Sequence, residues 1–312
     1  MSRWGVRSAY GDLGGAIVHR PGVELDEVTP QTLETFGFER PVDRERFVAE
    51  YDVMLDALRA QGAEMHQLRD LLAGDADALA YLDRRPNMTY TRDLAMVFRR
   101  GAVLMGPRLV GRQGDQEMLA RAFRRLGVPM LGRIDPPGYL EGGGVTMLGD
   151  DTAVAALCDR ANATGTAALR ELVLGHDVRA FLEVPLPRGH IHIDGDFMVV
   201  DERLCLIHEP TFRDVVCRLF EAGRREPRRV PFFEVLDDRG FTRIPITEPE
   251  RLGGHLNVVV TQRGRTAVVP GHATRLVAEL ERRGWRVSTF PSAEMAAGNG
   301  GVHGMTCPVL VG

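Results

Sequence analysis

The 312-residue chain contains no lysine; all 39 of its basic residues are arginine. That excludes a lysine Schiff base and a phosphate-loop lysine as sources of its chemistry. Cysteine is scarce and unpaired in spacing. The four cysteines, Cys158, Cys205, Cys217 and Cys307, form no Cys-x-x-Cys pair, which argues against a zinc ribbon. Cys158, Cys205 and Cys217 sit among apolar residues and read as reduced core packers, so a cytoplasmic location is expected. No run approaches the ~18 apolar residues of a membrane span. The opening Met1-Ser2-Arg3-Trp4-Gly5 lacks an apolar signal region, so neither a membrane partner nor export is expected. With a net charge of −4 and no long basic run, the chain carries no nucleic-acid footprint. A Gly-x-Gly-x-x-Gly turn after a strand is missing too, which removes the dinucleotide-binding fold; Glu141-Gly142-Gly143-Gly144 follows a loop instead.

What remains is an ordinary globular profile, 44% hydrophobic and 26% charged, long enough to bury a full core. No low-complexity linker divides it, so residues 1–312 read as one domain. Two patterns repeat. Amphipathic helix ends run into Gly62, Gly127 and Gly284, each followed by a strand. A polar residue followed by two apolar strands and a short turn recurs from Asp93, Glu141, His192 and His255, at intervals of 48, 51 and 63 residues. A shorter version opens the chain at Gly15–Gly22. A period near fifty means repeated supersecondary units. Five strand–strand–helix–strand units predict an α/β fold closed as a five-fold pseudo-symmetric propeller, with the polar strand starts converging on one axis. The stretch from roughly 220 to 250 reads as a surface excursion of the fourth unit.

Five motifs then fall in order along the chain. They are Val18-His19-Arg20-Pro21-Gly22, Asn87-Met88-Thr89-Tyr90-Thr91-Arg92-Asp93, Leu140-Glu141-Gly142-Gly143-Gly144, His192-Ile193-Asp194 and Gly298-Asn299-Gly300-Gly301-Val302-His303-Gly304. A weaker match is Asp159-Arg160-Ala161-Asn162. Together they resemble the guanidino-group-modifying enzymes: arginine deiminases, dimethylarginine dimethylaminohydrolases and amidinotransferases. The chain departs from the family at Gly144, where an Asp or Asn is usual, at Ala161, where Thr is usual, and above all at Gly304. The family places its nucleophilic cysteine directly after the position of His303, and Gly304 has no side chain to attack with.

The resemblance implies a hydrolase acting on the guanidino group of arginine or a close derivative, with no cofactor and no metal. A guanidinium is a planar cation that two carboxylates can clamp through charge-assisted hydrogen bonds. That role matches Asp93 and Asp194. His192 matches the proton donor to the leaving nitrogen, Glu141 the residue that orients it, and Arg160 a contact to the substrate carboxylate. His303 matches a substrate-binding position and Gly304 the vacant nucleophile position. Cys307, three residues on, falls on the wrong face of an extended segment. Gly304 reads either as an inactivating substitution made to trap substrate or as a natural loss. Amidino transfer to an amine, and non-catalytic binding of arginine-like cations, are the competing functions; the resemblance leaves a homodimer open. Plain structural readings stand beside these: Asp93 as a turn cap, Glu141 as a loop carboxylate, Arg160 as a surface cation. His190, His192 and Asp194, two apart on a strand, would share a face that a metal could use. That reading is set aside because further ligands are lacking.

Overall fold

The structure is a computed structural model, and it describes residues 4–312. It is a mixed α/β fold of five separate sheets. Each holds the same unit, an antiparallel strand pair of which one strand pairs in parallel with a third. In one, Ala95–Val97 pairs antiparallel with Ala102–Leu104, which pairs in parallel with Met130–Arg133. Val145–Leu148, Thr152–Leu157 and Ala180–Pro185 repeat the arrangement. Phe197–Asp201, Leu204–Ile207 and Thr242–Pro245 do so again, as do Val259–Gln262, Thr266–Pro270 and Arg286–Phe290. The remaining sheet is assembled from both ends of the chain. Cys307–Val311 lies antiparallel to Leu13–Val18, which is parallel to Glu64–Gln67.

The helices joining second and third strands follow from the sequence. Arg44–Ala60 begins at Asp43, whose side chain accepts from Arg46 N, and it buries Phe47, Tyr51, Met54, Leu55 and Leu58 on one face. Gln116–Leu126 ends at Gly127 in the left-handed conformation, φ 70°. A Cβ at Gly127 would meet nothing within 4 Å, so only the backbone constrains this position. Gly127→Ala is therefore expected to cost about 1 kcal/mol in urea unfolding, with no change in ligand binding.

Two expectations are corrected. The stretch from roughly 220 to 250 is not an irregular excursion. Val216–Glu221 pairs antiparallel with Ala180–Pro185, and Arg228–Pro231 pairs onto it, so the fourth unit lends two strands to its neighbour's sheet. Cys217 is buried between exposed Val216 and Arg218, which suits a strand with one wet face, and the surrounding arginines mask the pattern in the sequence. The polar heads also do not begin strands. Short 3-10 turns, Thr91–Leu94, Gly142–Gly144 and Ile193–Gly195, intervene before Ala95, Val145 and Phe197. Each turn swings its polar residue out of the sheet and toward a common centre. Among the described residues no helix is long and apolar enough to cross a membrane.

Candidate active site

The segment Asn87–Asp93 is a buried scaffold. Asn87 Nδ2 donates to Phe36 O at 2.9 Å. The Tyr90 ring lies against Gly298 and Gly300 so closely that a Cβ at either would collide with it, which explains the glycine-rich turn. Thr91 Oγ1 sits 3.0 Å from Ile17 O and 3.2 Å from Met305 O. Arg92 donates from its backbone N to Gly304 O at 3.0 Å and from Nε to His303 O at 2.7 Å. The Thr-Arg-Asp triplet thus docks the C-terminal turn and leaves Asp93 facing inward.

Gly142 and Gly143 allow the next approach. A Cβ on Gly142 would run into Arg92 O, and one on Gly143 into the His192 ring. Without side chains the turn closes, and Gly143 N donates to Asp93 Oδ1 at 3.0 Å. Glu141 Oε2 lies 3.0 Å from His192 Nε2. The other ring nitrogen, Nδ1, is 3.8 Å from Asp93 Oδ1 and 4.0 Å from Asp194 Oδ1, so the two aspartates bracket one imidazole edge. Asp194 Oδ2 in turn lies 2.8 Å from His303 Nδ1.

Asp93, Arg160, His192, Asp194 and Gly304 line one cavity of about 370 Å³. Glu141 and His303, fully and nearly fully buried, stand behind its wall and reach it through His192 and Asp194. Every site residue named from the sequence is therefore at or beside this cavity. A larger groove, about 650 Å³ along Arg20–Glu24, contains none of them. Cys307 is buried, its Sγ 3.6 Å from Ala95 O, and burial pushes its thiol up to about 12. Cys205 and Cys217 are buried as expected, whereas Cys158 is only partly so.

The residue the sequence reading missed is Arg112. It is 3% exposed, and its NH1 donates to Asp93 Oδ2 at 2.9 Å and to Glu141 Oε2 at 3.2 Å. Its Nε and NH2 have no partner, though both are buried and the residue lines the cavity. The repeat held a signal for it: Arg112 follows Asp93 by 19 residues, as Arg160 follows Glu141. The metal reading also changes. His190, His192 and Asp194 do not share a strand face, because a 3-10 turn starts at Ile193 and His190 pairs with Asp196. The grouping with ligand-like spacing is Asp93, Glu141 and His192, within 4.8 Å of one another, and there Arg112 already occupies both carboxylates.

Electrostatics divides the two histidines. Burial alone would lower His192, but Asp93, Glu141 and Asp194 outweigh it and raise the ring above its usual value. Burial lowers His303, Arg92 adds to that, and Asp194 does not restore it. Burial pushes Glu141 up, yet Arg112, His192 and Arg160 together bring it well below the usual carboxylate range. NMR titration of the imidazoles is expected to find His192 protonated and His303 neutral at pH 7. The His192 contribution to stability is full below about 6.5 and is lost as pH rises through its raised value. The His303 contribution is present above about 6.5 and is lost as pH falls through its lowered value. Midpoints in the opposite order would refute this division.

No family model matches the chain. It is similar to the arginine deiminase of Listeria welshimeri, 23% identical over 406 aligned positions covering 98% of each protein. It is also similar to the YkgA protein of Bacillus subtilis, 21% identical over 308 positions covering 98% of this chain and 95% of that one. The longer alignment means that the deiminase carries inserted segments that this chain lacks. Among solved structures, the fold matches a mutant dimethylarginine dimethylaminohydrolase from Pseudomonas aeruginosa complexed with citrulline. The TM-score is 0.70 at 18% identity, covering 95% of this chain and 99% of that one. It also matches the product-bound N-terminal domain of ArgZ, a cyanobacterial arginine dihydrolase, with TM-score 0.74 at 16% identity, covering 96% and 98%.

Proposed function

We propose, from the premise that this chain belongs to the guanidino-group-modifying superfamily, that it binds arginine or a close derivative in the manner of a guanidino hydrolase but lacks the thiol of the covalent step. One observation carries the reading. Asp93 and Asp194 flank a single edge of His192 in a cavity walled by Gly304.

In this reading Asp93 and Asp194 hold the planar guanidinium through charge-assisted hydrogen bonds. Glu141 holds His192 by its far nitrogen, leaving Nδ1 free to give a proton to a departing amine. The raised His192 is an acid at neutral pH, which suits that step and not the activation of water before attack. Arg160, which lines the cavity, supplies a seat for the ligand's carboxylate. A thiolate at position 304 would add to the central carbon and expel ammonia or an amine protonated by His192, and water would then cleave the resulting thiouronium carbon–sulfur bond to give the ureido product and the free thiol. Gly304 removes that step alone and leaves the binding groups in place. The five units, sharing one strand order, are read as closing radially around this cavity within a single domain of residues 1–312.

Calorimetry and thermal shift with arginine, methylated arginines and agmatine test the reading. Saturable binding of a carboxylate-bearing guanidine, weaker binding of agmatine and no release of ammonia are expected. No binding of any guanidine would reject the clamp; steady turnover would reject the missing nucleophile.

A further inference from the structure

Two of the groups assigned above, His192 and Asp194, sit on one short turn, and one backbone hydrogen bond spans it. Asp196 N donates to Ile193 O at 2.9 Å, and Gly195 faces open space. Ile193 is buried in the core and anchors the middle of the turn, while His192 and Asp194 on either side face the cavity. The ends of the turn are joined by side chains. His190 Nδ1 lies 2.8 Å from Asp196 Oδ2.

Asp196 is 1% exposed and both of its oxygens are used. Oδ1 accepts from Thr211 Oγ1 at 2.9 Å, with Arg251 NH1 at 3.7 Å. The Thr211 hydroxyl is 2.8 Å from His208 Nδ1, and His208 N donates to Asp196 O at 2.9 Å. His208 Nε2 lies 3.2 Å from Glu248, which pairs with Arg251 and closes the ring. Burying a carboxylate among such partners gains little net stability over apolar packing. Its return is a fixed geometry.

We infer that Asp196, clasped to His190, is a positioning residue: the pair locks the base of the turn so that His192 and Asp194 meet Glu141, Asp93 and His303. The inference rests on the functional reading only for what the positioned groups do, and not for the positioning itself.

Long-range ¹H–¹⁵N NMR of the imidazoles in the full chain tests it without any ligand. The groups facing His192 are Asp93, Glu141 and Asp194. When the clasp is removed by Asp196→Ala, or more gently by His190→Ala, His192 drifts from them. Its titration midpoint should fall by about one pH unit or more toward 6.5. The amide resonances of the distant strand Glu64–Gln67 should not move. Arginine affinity, measured on the same samples, should fall about tenfold or more. His190→Ala decides the matter if Asp196→Ala does not fold. A folded His190→Ala protein with an unmoved His192 midpoint would overturn the clasp. Movement of those distant amides as well would also overturn it, by showing a general loosening. If unmodified protein binds no arginine, the binding proposal fails while the titration still judges the clasp.

Discussion

Gly304→Cys is expected to convert the chain from one that forms no covalent species with a guanidine into one that accumulates a thiol-linked adduct. The position accepts the side chain. A Cβ added at Gly304 would meet only Tyr90 Cδ1 at 3.6 Å and Gly301 O at 3.7 Å, both ordinary contacts. Its backbone is already held through the Arg92 N to Gly304 O bond, so the new sulfur would enter a fixed frame at the cavity wall. Deleting a nucleophile from a serine protease costs about 10⁶-fold in rate, so its restoration here should raise turnover by on the order of 10⁴-fold or more. Mass spectrometry after a denaturing quench reads the adduct directly. A substrate adduct on Cys307 in the unsubstituted chain would overturn the assignment, and the buried, high-pKa state of that thiol argues against it.

The second large effect is expected at the aspartates. Asp194→Asn and Asp93→Asn should each weaken binding of arginine by on the order of 1.5–3 kcal/mol in calorimetry. The two differ in their effect on the empty protein. Among the described residues Asp194 pairs with His303 and His192, and burial raises its carboxyl less than these and Arg92 lower it, so its neutral variant should lose some stability, but less than Asp93→Asn. Asp93 is a partner of the buried Arg112, and its neutral variant leaves that guanidinium with Glu141 alone. A further loss of about 1–3 kcal/mol in folding stability is expected for Asp93→Asn. Unchanged affinity in both variants would remove the clamp.

The sequence carried the parts of the site where chemistry needs particular side chains in a particular order. Asp93, Glu141, His192, Asp194 and His303 announce themselves as unit heads and motifs, and they meet as the period of about fifty suggests. It did not carry the reasons behind the glycines. That Gly298 and Gly300 must clear the Tyr90 ring, or Gly143 the His192 ring, depends on approach distances that no spacing reveals. Arg112 escaped because Val110-Gly111-Arg112 matches no motif; only comparing one unit with the next exposes it. Val216–Glu221 escaped because strand pairing across units is a tertiary choice, and local charge gave no hint of the partner.

The strand Cys307–Val311 lies between Gly5–Val6 and Leu13–Val18, with Cys307 set opposite Ile17. During synthesis Ile17 emerges long before its neighbour exists. The first sheet must wait, the slot between Gly5–Val6 and Leu13–Val18 empty, until Cys307–Val311 has been made. The turn bearing His303 and Gly304 immediately precedes that strand, so this part of the cavity wall is made after the other motif-bearing segments. A chain cut short before Cys307 would keep an open seam between Gly5–Val6 and Leu13–Val18. Such contacts between distant stretches also make refolding slow. The exposed edge of Leu13–Val18 would therefore mark any copy in which Cys307–Val311 has not docked.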